Sequence, residues 1–212
     1  MGLSINVGML ADLLEGDPEG AEWLQEGLDA ANRVLKEYRL PSHEEPKSLP
    51  VLHNRCSASG YPYSFLHYLR RVYAHRKADP SWIAEPFPPD AKASEDRLVR
   101  VEYGREESHL INHSDAEGFY LPVDFKEVLY DHDEKVPGAL IGSSFRLLEE
   151  LVFVAPALGI SLNGNELSDQ EAMEIERAID AEEDLHIEKL VWLSLFEAAR
   201  LSIEHRTAIV FG

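Results

Sequence analysis

The sequence predicts an α+β protein, predominantly helical, with a small antiparallel three-strand meander at about residues 97–125. Three observations carry that expectation. Apolar residues recur at helical spacing through the first and last thirds of the chain. Between 97 and 125 the period falls from 3.6 to 2. Residues 185–203 are apolar on almost every side, as a central buried helix would be. The 212 residues suit a single domain over 1–212.

The elements follow in order. Ile5, Val7, Leu10, Leu13 and Leu14 suggest a short helix over about 5–14, although Gly8 lies within it. Asp17-Pro18 is an N-cap followed by proline at the first helical position, so a helix should run over 18–39. Leu24, Leu28, Ala31, Leu35 and Tyr38 give it one apolar face. Prolines at 41, 46, 50 and 62 mark an irregular crossing before a helix over 63–77. Val99, Val101 and Tyr103 alternate with polar residues, which predicts strands over 97–103, 108–114 and 119–125. Gly118 sits where a left-handed residue would close the last hairpin, setting His113 opposite Leu121 and His109 opposite Phe125. Helices are expected over 144–156, where Pro156 should end the first, then 168–182 and 184–206. Ser168 with Glu171 forms a capping box. Residues 207–211 could form a short closing strand.

The net charge is -19, from 39 acidic side chains against 20 Lys and Arg. Such a chain repels phosphates, so neither nucleic acid nor an anionic membrane is expected among its partners. The single Cys56 excludes an internal disulfide framework and a Cys-only zinc site. No apolar run approaches the ~20 residues of a bilayer span, and the N-terminus lacks a basic, cleavable leader. The expectation is a cytoplasmic protein.

The charge is uneven. Residues 47–78 hold six cations and no acid, while every other stretch is acidic. Within 61–77, His67, Arg70 and Arg71 share one side of the expected helix. Guanidinium forks suit a carboxylate or phosphate, with Tyr as an added donor. They equally suit internal neutralisation of the acidic helices. The hairpin region adds His113, Ser114, Tyr120 and Asp124 to the candidate ligand-binding set. On a strand, His109 and His113 would stand about 13 Å apart, too far for one ion. No metal ligand set, cofactor or catalytic residue is expected. Asp131-His132-Asp133-Glu134 lacks the glycine of a calcium loop and reads as a solvated acidic turn.

Several local strings resemble a set of uncharacterised bacterial proteins of unknown function. They are Gly2-Leu3-Ser4-Ile5, Glu15-Gly16-Asp17, Tyr63-Ser64 ahead of Leu69-Arg70-Arg71, and His113-Ser114-Asp115 leading to Gly118-Phe119-Tyr120-Leu121-Pro122-Val123. The resemblance covers most of the chain, implies a bacterial cytoplasmic origin, and brings no catalytic residue with it.

Two functions are compatible with these features. In the first, the chain is a protein-binding module, inhibitor- or immunity-like, whose acidity steers it to a basic protein. The alternative is a small-molecule enzyme or ligand-binding protein. There Arg70 or Arg71 would hold an anionic ligand and Asp124 or His113 would serve as base. Catalysis is the less expected of the two, and a homo-oligomer stays open because the apolar C-terminal helix could be shared between copies.

Overall fold

In the computed structural model, which describes residues 2–88 and 91–212, the chain begins with a strand rather than a helix. Strand β1 (Leu3–Val7) stops at Gly8, whose φ of 80° turns the backbone into helix α1 (Met9–Gly16). A left-handed φ of this kind is open to glycine without strain. The expected helix over 5–14 is thereby split in two. The reason lies far away: Ile5 and Val7 pair with Phe211 and Ile209 of strand β6 (Ile209–Phe211).

Helix α2 (Pro18–Glu37) starts where its cap dictates, with Asp17 Oδ1 accepting from the Gly20 amide at 3.0 Å. Its inner face buries Leu24, Leu28, Ala31 and Leu35. Strand β2 (Gly60–Tyr61) and a 3₁₀ turn at Tyr63–Phe65 lead into helix α3 (Leu66–Ala78).

The expected meander is replaced by helices. Residues 97–103 form helix α4 (Arg97–Tyr103), because Asp96 caps it by accepting from the Leu98 and Val99 amides. Of the alternating set only Val99 is buried, while Val101 and Tyr103 lie exposed. The segment expected as a strand over 108–114 holds helix α5 (His109–Asn112). Ser108 caps it through the Ile111 amide, and Glu150, from a distant helix, accepts from the His109 and Leu110 amides. The strand expected over 119–125 is shorter and starts earlier, as β3 (Gly118–Leu121). Gly118 does take a positive φ, 125°. His109 does meet Phe125, with ring centroids 5.5 Å apart, although no strand pairing brings them together.

Strands β4 (Leu129–Tyr130) and β5 (Leu140–Ser143) complete a mixed six-stranded sheet in the order β2-β1-β6-β3-β5-β4, with β3 and β5 parallel. Helices α6 (Ser144–Val154), α7 (Asp169–Asp180) and α8 (His186–His205) follow, and the class is α+β, predominantly helical. Helix α6 stops at Val154, ahead of a 3₁₀ turn containing Pro156. Ser168 caps α7, its Oγ accepting from the Glu171 amide at 3.1 Å, but the expected capping box is only half formed, because the Glu171 carboxylate accepts from the Ser161 amide at 2.9 Å instead.

The sheet separates two cores. Phe119, Leu121, Ile141 and Val210 pack against α2 on one face. Tyr120, Ile209 and Phe211 point the other way, toward the core that includes residues of α3, α6, α7 and α8. Trp192 of α8 is fully buried there and donates its indole N–H to Leu151 O at 2.8 Å. Among the described residues no helix is long and apolar enough to cross a membrane.

Candidate functional site

The residues singled out from sequence do not converge on one open site. His67, Arg70, His113 and Ser114 line a cavity of about 470 Å³ between α3 and the 110–116 segment, and Arg71, Tyr120 and Asp124 lie outside it. Arg70 is buried. Its Nε donates to Leu110 O and its Nη2 to His113 O, each at 2.8 Å, and its Nη1 is paired with Asp115. His67 lies 3.4 Å from the same carboxylate. The fork that could have gripped a ligand thus fastens the chain's own backbone.

Arg71 lies against the rings of Phe87 and Trp82, at 4.7 and 5.5 Å, with Asp96 at 3.9 Å. His75 binds Asp96 as well, at 2.9 Å. Within 61–77 the charge is therefore largely an internal complement, with acidic partners from residues 96–115, while Arg55, earlier in the basic stretch, pairs with Glu197 and Asp169.

His113 is buried, stacked 4.0 Å from the Tyr120 ring, with Nε2 3.0 Å from Phe119 O. Burial lowers its pKa to about 4, as it does that of His109. Tyr120 donates its hydroxyl to His109 O at 2.8 Å. Ser114 Oγ accepts from the Ala116 and Glu117 amides in a local turn. Asp124 pairs with Arg146 at 2.8 Å, beside the cleft that α2 forms with residues 41–47. Asp131 is no solvated turn residue. It is buried and accepts from the amides of Asp133, Lys135 and Val136, at 3.0, 2.7 and 2.7 Å.

The unspent charge lies elsewhere. Residues 2–32 contain seven acids and no Lys, Arg or His. Asp12, Glu15, Asp17, Glu19, Glu22, Glu26 and Asp29 are all exposed. Among the described residues none of the seven has an ion-pair partner within 4.0 Å. Glu19, Glu22, Glu26 and Asp29 follow one another at steps of three, four and three residues along α2, so they share its outer face. At 1.5 Å rise per residue the row spans about 15 Å, a carboxylate roughly every 5 Å. A second acidic stretch, Glu166 to Asp184, runs over α7 and its C-terminal turn with Arg177 its one cation.

The α2 row belongs to no motif, and in a chain that is acidic almost throughout its acids do not stand out by composition. The signal was present: α2 opens with Glu19, Glu22, Glu26 and Asp29 opposite its apolar stripe, with no compensating cation until Arg33.

Fold and surface together define an acidic α+β protein that spends much of its positive charge internally and presents carboxylates at regular intervals on one helix. The chain belongs to the family described as "Putative DNA-mimic protein", whose family model matches residues 1–211. No curated protein and no solved structure shows significant similarity to it. The family corrects the partner expectation that set nucleic acid aside, since it is described by its likeness to DNA, while a basic protein as partner fits it. That expectation followed from the repulsion between acids and phosphates. It overlooked that a surface which repels DNA can also resemble it.

Proposed function

We propose that this protein occupies the DNA-binding surface of a DNA-binding protein, standing where the duplex would lie. The α2 row carries the reading. Duplex DNA presents one charge per ~3.4 Å of axis on each strand, and the row of Glu19, Glu22, Glu26 and Asp29 offers fixed negative charge in a line at about two-thirds of that density. A helix locked onto the sheet by Leu24, Leu28 and Leu35 holds that row with little loss of order on binding. With no cation among them, these acids keep a long-range field that steers a basic groove toward the face.

The test is displacement. A DNA-binding protein captured from host lysate on the immobilised chain at low salt is loaded with a fluorescent duplex, and the chain is titrated in. Release of the duplex at near-stoichiometric addition is expected, weakening steeply with salt. The variant E19Q/E22Q/E26Q/D29N should need at least about tenfold more protein, since several charge contacts are lost together. Undiminished displacement by that variant, or capture of no DNA-binding protein, overturns the proposal.

A further inference from the structure

Beside the acidic row, α2 and the turn that Asp131 staples enclose a hollow of about 430 Å³. Trp23, Glu26, Gly27, Asp29 and Arg33 line it from the helix, and Lys135 and Pro137 from the turn. Trp23 is 53 % exposed, unlike Trp192, which is fully buried. An indole left half in water on a row of carboxylates has no part in either core. At Gly27 a β-carbon would stand 3.0 Å from the Phe119 ring and 3.4 Å from Pro137 Cδ, so the bare backbone lets helix and turn approach here.

The lining chemistry selects one kind of guest. An indole face attracts a cation, and attracts a planar guanidinium best because it also stacks. Glu26 and Asp29 supply carboxylates that a guanidinium can bind in forked fashion. Of the two resident cations, Lys135 is already paired with Asp133 at 3.0 Å. Arg33 has no ion-pair partner within 4.0 Å among the described residues and stands four residues beyond Asp29, where it competes for that carboxylate.

We propose that this hollow is the seat for an arginine side chain of the partner, laid on the Trp23 indole and held by Glu26 and Asp29. The proposal rests on the mimic reading for the partner's identity but not for the chemistry of the seat. It makes the face selective for arginine over lysine, which spaced carboxylates alone would not be.

Oligo-arginine and oligo-lysine peptides of equal length are the probes, with affinity read by calorimetry and indole fluorescence. The arginine peptide should bind about three- to fivefold tighter, the margin a half-exposed cation–π contact provides. Trp23→Ala changes no charge and leaves the core intact. It should weaken the arginine peptide more than the lysine peptide and so reduce the arginine preference to the share that the carboxylate fork provides. Arg33→Ala should tighten the arginine peptide. Equal affinities in the native protein, or an arginine preference undiminished by Trp23→Ala, overturn the seat. Should duplex displacement fail while the preference stands, mimicry falls and the seat remains. Should displacement succeed with no preference, the seat falls and mimicry remains.

Discussion

Arg70 and Asp115 form an ion pair that closes the 110–115 segment onto α3, and the same guanidinium caps the carbonyls of Leu110 and His113. Arg70→Ala would leave two buried carbonyls and a carboxylate without their donor. A loss of about 3 kcal/mol is expected in chemical denaturation. Arg70→Lys should recover less than half of it, because an ammonium cannot serve three acceptors in that fixed plane.

Glu150 gives stability an unusual dependence on pH. Burial pushes its carboxyl up to about 7, against the pull of the Leu110 and His109 amides. A carboxyl whose pKa rises on folding favours the folded state most at low pH. That contribution is lost as pH climbs from the unfolded value of about 4.5 to about 7. Glu150→Gln should remove the slope, so its stability relative to native improves by on the order of 2 kcal/mol between pH 5 and pH 8.

His109 and His113 act in the opposite sense. Both fall to about 4 through burial, below the 6.5 of a free imidazole. Their contribution is complete above 6.5 and drains away as pH falls toward 4. In Glu150→Gln, freed of that carboxyl's opposing slope, this acid-side loss should be steeper than in the native protein in a titration of unfolding free energy.

Gly142 lies across the parallel ladder from Tyr120, and a β-carbon there would sit 2.2 Å from the tyrosine ring. Gly142→Ala must push that ring off His113 and loosen its hydroxyl from His109 O. A cost of about 2–4 kcal/mol is expected, with broadening of the His113 ring signals by NMR.

Neutralising the α2 row should not harm the fold. E19Q/E22Q/E26Q/D29N is expected to raise Tm by roughly 2 °C in low salt and to leave it unchanged near 0.5 M salt, where repulsion is screened.

The helical class was legible because long amphipathic stretches state their own burial: Leu24, Leu28 and Leu35 of α2, and Val191 to Phe196 of the largely apolar α8, are inside as their spacing requires. Of the sheet only β6 and part of β3 were legible, because its strands are two to five residues long and draw partners from distant parts of the chain. Val99-Arg-Val-Glu-Tyr looked like a strand through a short alternation, but the deciding signal was Asp96, a cap just outside the window. At α5 part of the cap comes from Glu150, which no local reading could supply. Of the candidate site, sequence gathered His67, Arg70, His113 and Ser114 near one another, yet could not say that Arg70 is spent on its own backbone. Asp124 and Arg71 were grouped with them by residue type, and the fold sends them elsewhere.

Strand β6 lies between β1 and β3, and it is the one link between the two halves of the sheet. Ser4 and Gly212, 208 positions apart, are bonded through it. Such a pairing closes a very long loop, whose entropy makes it costly to form before other contacts hold the chain together. Helices α6, α7 and α8 can assemble first from neighbouring sequence. Until β6 docks, the layer bearing the acidic helix has only part of its sheet to rest on. The final rigidity of the carboxylate row is then tied to a three-residue strand that α2 meets through Val210.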